Sequence, residues 1–157
     1  CGMSTLEVKA IQAPTGYDLD MPAGHILQVV SANTSSTVTL SSATYTDTGL
    51  TATITPKFAS SKILVMATLA INHGNDEGCG IRLIRNSTTL YTSGNPYQFL
   101  YSNNTGDSYN RGSIYELDSP STTSSTTYKI QFSSYDNKQI KAHQGARSEI
   151  VLMEVAG

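Results

Sequence analysis

One short polar segment holds residue types that bind metal ions. His73, Asp76 and Glu77 lie within five residues of one another, between two apolar stretches. An imidazole and two carboxylates are suitable ligands for a hard or borderline divalent cation. The same residues are equally at home in a solvent-exposed turn, and this is the interpretation we favour. We therefore predict a solvated turn here, with no metal and no cofactor, and we keep a cation site as the alternative.

We recognise no catalytic arrangement of residues in the sequence. His25, His73 and His143 are far apart, and no serine stands in the setting of a nucleophile elbow. No cysteine–histidine arrangement and no glycine-rich phosphate-binding loop is recognisable. The sequence therefore predicts a protein that is not an enzyme. A glycan depolymerase is the enzymatic alternative, and the absence of a carboxylate constellation argues against it.

Aromatic and short polar side chains are concentrated in one irregular segment, residues 91–109. Tyrosine combined with asparagine, serine and glycine is typical of adaptable binding loops, and aromatic rings with amides and carboxylates also suit sugars. We predict that this segment and the turn at residue 135 form a receptor- or glycan-binding surface. Its predicted residues are Tyr91, Tyr97, Tyr101, Asn103, Asn104, Asp107, Tyr109 and Tyr135. The alternative is that residues 97–101 form one more strand with its rings packed inward.

The composition indicates that β-strands must position these groups. Of the 157 residues 38% are apolar and only 14% are charged, with a net charge of -2. Threonine, valine, isoleucine and tyrosine favour strands, and the best helix formers are scarce. The ten basic residues are scattered along the sequence and form no basic cluster of the kind that binds nucleic acid. No apolar run approaches the about 18 residues of a membrane-spanning helix, so we also predict no membrane insertion.

Apolar and polar residues alternate in short runs from residue 25 to the end of the sequence. In the clearest run, Tyr128, Ile130 and Phe132 share one face. We predict polar turns at residues 31–36, 46–49 and 72–78, and a small buried hydrophobe at Cys79. About ten strands at this spacing predict an all-β, jelly-roll β-sandwich.

The first 24 residues differ from the rest of the sequence. Proline and glycine recur at residues 13–16 and 21–24, and apolar residues lie before and between them. This segment is too short to hold a core and too apolar to be a free linker. We therefore predict an extended stalk at residues 1–24, followed by a head domain at residues 25–157.

Two runs, residues 63–71 and 150–155, are apolar on both faces. A strand of this kind lies inside a sandwich or at a subunit interface, because an uncovered apolar face favours association. We predict that a symmetric neighbour covers one face. The residues predicted to line that interface are Tyr128, Ile150, Leu152 and Met153.

Several short blocks follow one another along the sequence. They are Gly-His-Ile-Leu-Gln-Val-Val at 24–30, Thr-Asp-Thr-Gly-Leu at 46–50, Ala-Thr-Ile-Thr-Pro at 52–56, Ser-Ser-Lys-Ile-Leu-Val at 60–65, Leu-Asp-Ser-Pro at 117–120, Thr-Tyr-Lys-Ile at 127–130 and Ser-Glu-Ile-Val-Leu-Met-Glu-Val-Ala-Gly at 148–157. Their order resembles the C-terminal region of tail fibres, or other fibre proteins, of tailed bacteriophages, particularly marine ones. The strand rhythm is also similar to the tumour necrosis factor and complement globular-head superfamily, whose jelly rolls form trimers around a threefold axis.

The resemblance implies a homotrimeric virion protein, located in the phage particle. We expect a tail-fibre tip whose N-terminal end contacts other virion proteins and whose head binds a host-surface glycan or protein. The alternative is a capsid decoration or head-fibre protein that binds no receptor. A secreted, cytokine-like ligand of the same fold is a further alternative, which no visible signal peptide supports.

Overall fold

The computed structural model describes residues 22–157, apart from residues 75, 96, 97 and 104. The predicted stalk lies almost entirely outside the described residues, as do the predicted binding residues Tyr97 and Asn104. The described residues form eleven strands in two antiparallel sheets and contain no helix. The prediction of an all-β sandwich is therefore confirmed. In the part of the sequence described, no helix is long and apolar enough to cross a membrane.

The strands fall into two sheets that face each other. In sequence order they are β1 (Ile26–Thr34), β2 (Val38–Leu40), β3 (Thr46–Ile54), β4 (Lys62–His73), β5 (Glu77–Arg85), β6 (Thr88–Thr92), β7 (Leu100–Ser102), β8 (Ser108–Asp118), β9 (Thr126–Ser134), β10 (Ile140–Ala142) and β11 (Ser148–Val155). In the first sheet, β1 pairs with β11, β11 with β4, and β4 with both β8 and β10, while β2 pairs with β10. The second sheet has the order β3-β9-β5-β6, and β7 pairs with the start of β5.

The core lies between the inner faces of β4 and β9. The odd-numbered residues of β4 from Ile63 to Ile71 are buried, and opposite them lie Tyr128, Ile130 and Phe132, as predicted. Cys79 is a free, fully buried thiol within this core, which confirms its predicted role. Burial raises the pKa of that thiol to about 12, so it stays protonated and unreactive.

Two of the three predicted turns are shorter than expected, and the third is replaced by strand, because strands continue through polar residues. β1 runs on to Thr34, which pairs with Ser148 of β11. Residues 46–49 belong to β3, where the register shifts between Asp47 and Thr51 and Gly49 has a φ of 83°. β4 extends to residue 73 and β5 begins at residue 77, so only three residues remain in that turn. Backbone pairing, which polar side chains do not oppose, decides where these strands end.

The two ends of the sandwich contain different parts of the fold. At one end, which we name the terminal end, β1 begins and β11 ends. There the N–H of Gly24 donates to the C=O of Ala156, and the N–H of Ala156 donates to the C=O of His25, both at 2.8 Å. The loop end, on the opposite side, holds the β4–β5 turn, the segment around β7, and the β9–β10 turn. The predicted binding segment is therefore remote from the point where the polypeptide enters the domain.

A buried polar network joins the two sheets near the terminal end. Asp118, at the end of β8, accepts hydrogen bonds from Nη1 of Arg85 at 2.7 and 2.9 Å. The hydroxyl of Tyr128 donates to the same carboxylate at 2.7 Å. Burial, reinforced by this hydrogen bond, raises the pKa of the Tyr128 hydroxyl, so it remains a donor. Because Arg85 and Tyr128 belong to the second sheet, the network fixes one sheet against the other.

His143 makes a second link between the sheets, near the loop end. Its fully buried ring bonds through Nε2 to the C=O of Thr48 in β3 at 2.8 Å. Its Nδ1 lies 2.6 Å from Oγ of Ser148 in β11. This arrangement suits a neutral imidazole whose Nε2–H donates and whose Nδ1 accepts from the serine hydroxyl. Burial lowers the pKa of His143, which keeps the ring uncharged.

Stability should therefore decline when the pH falls from about 7.5 to about 5.5. In the unfolded polypeptide the histidine titrates near pH 6.5, and the unfolded state takes up a proton that the folded state refuses. Urea unfolding should show this decline in the wild type and a much shallower one in the variant His143→Gln. Asp47 and Glu154 should not contribute in this window: burial raises their pKa values, but hydrogen bonds to the carboxylates outweigh it and leave both pKa values lowered. Equal slopes for the two proteins would contradict the assignment.

Candidate functional site

The described residues leave one large apolar surface of the first sheet uncovered. Its four long strands pair in register, so the outward side chains line up in rows across the sheet. One row contains Leu117, Leu64, Met153 and Val29. We name this surface the outer apolar face, and its residues are Ile26, Val29, Leu64, Met66, Tyr115, Leu117, Val151, Met153 and Val155.

The outer apolar face has the anatomy of a protein interface. The side chains of Ile26, Val29, Tyr115 and Leu117 are 59%, 55%, 67% and 52% exposed. Contiguous apolar patches of this kind mark interaction sites on soluble proteins. A polar row bounds the patch on the side of the loop end. In that row the hydroxyls of Thr68 and Ser113 are hydrogen-bonded at 2.9 Å, while Glu149 accepts from Arg147 at 3.1 Å. An apolar centre with a polar rim is characteristic of protein–protein contacts.

Of the four predicted interface residues, only Met153 lies on this face. Ile150 and Leu152 point from β11 into the core, and Tyr128 points into the core from β9. All three side chains are fully buried within a single protomer, so they cannot touch a neighbour. We correct their assignment: they stabilise the fold. The cause of the error is that a strand apolar on both faces does not reveal which face is turned inward.

The loop end brings together most of the predicted binding residues that the structure describes. Tyr101 lies in β7, Tyr109 near the start of β8, and Tyr135 in the β9–β10 turn. Asn103 and Asp107 lie exposed between β7 and β8. Tyr91 lies apart from these residues, on β6 of the second sheet, where it is opposite Leu83. It is 40% exposed.

The alternative prediction for residues 97–101 fails for the one tyrosine of this segment that the structure describes. Tyr101 is 47% exposed rather than packed inward. Phe99 takes the inward position and packs partly buried against the core. Its ring lies so close to Gly112 that a Cβ there would come within 2.2 Å of it. Glycine at this position of β8 is therefore required for the close approach of the phenylalanine ring.

Two tyrosine rings and two charged residues form what we name the aromatic corner: Tyr101, Tyr135, Asp76 and Lys138. The two ring centroids are 5.9 Å apart and the ring planes are inclined at 86°. The hydroxyl of Tyr101 donates to the Asp76 carboxylate, and this bond raises the pKa of the hydroxyl. Nζ of Lys138 donates to the backbone carbonyl oxygen of Asp76 at 2.9 Å. Edge-to-face rings held in this way present flat apolar surfaces beside hydrogen-bonding groups.

A buried carboxylate supports the aromatic corner from below. Glu77 is fully buried, and its Oε1 accepts from the N–H of Tyr135 and from Oγ of Ser134, both at 3.1 Å. The corner is thereby fixed to β5 and β9 instead of projecting on a loose loop. Sequence reasoning missed the roles of Asp76 and Lys138 here, because the β4–β5 and β9–β10 turns meet only in the folded protein.

His73, Asp76 and Glu77 do not converge as a cation site would require. His73 is fully buried in β4, where its Nε2 lies 3.1 Å from Nδ2 of Asn110. Asp76 alone is exposed, and its carboxylate binds Tyr101. Among the described residues, no group of three metal-ligating side chains is placed to hold an ion. The favoured prediction of a solvated turn is itself wrong for His73 and Glu77, because both belong to strands.

Comparison with known proteins assigns no family to this protein. No protein-family model matches it, and no curated protein matches it either. The function must therefore be inferred from the outer apolar face and the aromatic corner.

The exposed tyrosines should contribute little to stability. Tyr109→Ala and Tyr135→Ala should each change the free energy of unfolding by less than about 1 kcal/mol, as surface substitutions usually do. Tyr128→Ala is the matched control, since it removes the same type of side chain from the core and should cost about 3–5 kcal/mol. Urea unfolding measures all three. A loss at Tyr135 comparable to that at Tyr128 would show that the corner is a packing element.

Proposed function

We propose that this protein is the head of a non-enzymatic, homotrimeric fibre of a tailed-phage particle, and that its loop end attaches to a host-surface glycan or protein. The observation that carries the proposal is that the two ends of the domain differ. β1 begins at the terminal end, the outer apolar face lies along the side and is left uncovered by the described residues, and the aromatic corner occupies the far end. These three features, in this arrangement, would suit the tip of a fibre.

The strand pairings support a jelly roll for this head. When β2, β7 and β10 are set aside as short strands, the remaining eight form nested antiparallel pairs: β1 with β11, β3 with β9, β4 with β8, and β5 with β6. The first strand pairs with the last, the second with the second-last, and so on inward. Such a nested ribbon, folded over into two sheets, is the jelly-roll arrangement.

The outer apolar face supports association with further copies of the same protein. It crosses all four long strands of the first sheet, and copies related by a rotation axis along the strand direction can cover one another's faces. All the loop ends then point the same way. Interfaces in permanent homomers are the most apolar class. The outer apolar face is in keeping with this, because its centre is apolar and the charged side chain of Lys62 lies at its edge, opposite Val155.

Association would also strengthen attachment. A single aromatic corner offers two rings and a few polar groups, which is a small contact area. Three copies present three corners at one end of the assembly, and weak sites that engage together gain avidity. Loops on a rigid sandwich are suitable for this role, because they can change without disturbing the core.

Light scattering should give three times the protomer mass at micromolar concentration. Met153→Asp should yield a folded monomer, because it places an unpaired charge where a neighbour would bury it. Leu152→Asp should instead prevent folding, since this side chain faces the core. Glu149→Gln, in the polar rim, is the control and should leave both mass and melting temperature unchanged. A wild-type protein that stays monomeric at high concentration would refute the trimer.

Gold-labelled antibodies against residues 22–157 should decorate the ends of tail fibres on particles of the encoding phage. Decoration of the capsid would instead support a head-fibre or capsid-decoration protein, since the apolar face serves assembly at either location. Particles that carry no label would refute both versions of the proposal.

A further inference from the structure

A cavity of about 240 Å³ lies on the first sheet, beyond the polar rim of the outer apolar face. Its walls are β8 on one side and the β10–β11 turn on the other, with Ala70 and Ile71 of β4 between them. The side chains that give it chemical character are Tyr109, Arg111 and Gln144. We name it the Arg111 cavity.

The guanidinium of Arg111 has no partner among the residues that the structure describes. Within residues 22–157, gaps excepted, no hydrogen bond or ion pair engages it; the nearby Glu149 binds Arg147 at 3.1 Å. Arg111 also borders a second cavity of about 350 Å³, lined in part by Thr68 and Tyr115. A planar guanidinium forms its strongest hydrogen bonds with a carboxylate, which it can bind with two parallel bonds.

The surroundings of Arg111 favour an anion. Lys141 lies in the same outward row as Tyr109, one row from Arg111 towards the loop end. The acidic side chain of the polar rim is Glu149, and Arg147 already neutralises it. Positive charges close to a cleft raise the local concentration of a negatively charged ligand.

Gln144 supplies an unsatisfied acceptor on the other side of the cavity. Its Oε1 is buried and has no hydrogen-bond partner among the described residues. A buried acceptor without a donor is unfavourable, so the site gains from a ligand that brings an O–H group. The residue before it, His143, is locked between the two sheets, so the position of Gln144 is fixed by the fold.

Tyr109 gives the cavity a flat aromatic wall, with 65% of its side chain exposed. From these groups we infer that the Arg111 cavity binds a hydroxycarboxylate with a saturated ring, as in a uronic acid unit of an acidic polysaccharide. The carboxylate binds Arg111 and the ring lies against Tyr109. The Gln144 side chain is half-buried, and its rotation turns the buried Oε1 towards the cavity, where a ring hydroxyl donates to it. The volume is below the range of pockets for drug-sized ligands and suits a single ring.

This inference rests on the proposed attachment function and names the class of glycan that one of its sites would take. It concerns a site separate from the aromatic corner. It also requires no trimer for the primary contacts, because Tyr109, Arg111 and Gln144 all belong to one protomer.

The test is a titration of the protein with three small probes, in which NMR measures binding at each step. Glucuronate has both the carboxylate and the hydroxyls, glucose lacks the carboxylate, and cyclohexanecarboxylate lacks the hydroxyls. Glucuronate should bind with a Kd of about 1 mM and shift amide signals around residues 109–111 and 144–146. The other two should bind at least about tenfold more weakly, because each lacks one hydrogen-bonding group.

Variants separate the roles of the two polar residues. Arg111→Gln should weaken glucuronate binding by about tenfold or more. The control is Lys57→Gln, which removes one positive charge from the surface at the terminal end, far from the cavity, and should have no effect. Gln144→Leu should remove the preference for glucuronate over cyclohexanecarboxylate. Circular dichroism confirms that each variant is folded, and Arg111 is exposed, so its replacement should not unfold the protein.

Three results would overturn the inference: no glucuronate binding up to about 50 mM, unchanged affinity in Arg111→Gln, or equal affinity for all three probes. None of these results bears on the mass of the assembly or on its place in a particle, so the proposed function would survive them. Conversely, a monomeric protein that binds glucuronate through Arg111 would keep this site and lose the fibre proposal.

Discussion

β4 is apolar on both faces, yet a two-layer sandwich can bury only one of them. The inward residues of β4 form the centre of the core, and pairing with β8 and β11 fixes the register of both neighbours. That register aligns Leu64 and Met66 with the outward residues of β8 and β11. The outer apolar face is thus a direct consequence of the same pairing that builds the core. In the proposal made above, association with other copies buries the second face.

Two buried polar links hold the two sheets against each other, one near each end of the sandwich. Asp118 joins the sheets near the terminal end, and His143 joins them near the loop end. Each link is fully paired, so it adds geometric specificity without leaving an orphaned charge. His143 also fixes the turn that contains Gln144, while Glu77 fixes the corner that contains Tyr135. Both candidate ligand sites are therefore anchored to strands of the core.

Alternation in the sequence is enough to predict the sandwich, because a strand with one buried face has period two. The inward placement of Tyr128, Ile130 and Phe132 follows correctly from it. Alternation does not predict that β3 includes Thr48 or that β4 continues to His73. Backbone pairing with neighbouring strands, rather than side-chain polarity, continues the strands there. Alternation also cannot decide which face of β11 is turned inward, and for this reason the interface assignment fails at Leu152. The aromatic corner and the Arg111 cavity combine residues from separate turns, and a single sequence holds no signal for such proximity.

The two proposed roles of the first sheet place assembly and recognition side by side. A polar row with Thr68 at its centre separates the outer apolar face from the Arg111 cavity. A neighbour that covers the apolar face would end at this row and would stand next to the open side of the cavity. Its side chains would then become a further wall for any ligand held by Arg111. In that arrangement the isolated protomer has the primary contacts but an open cavity, and the trimer completes three enclosed ones near the loop end. Assembly would thus raise affinity in two separate ways, by avidity among three sites and by closing each site.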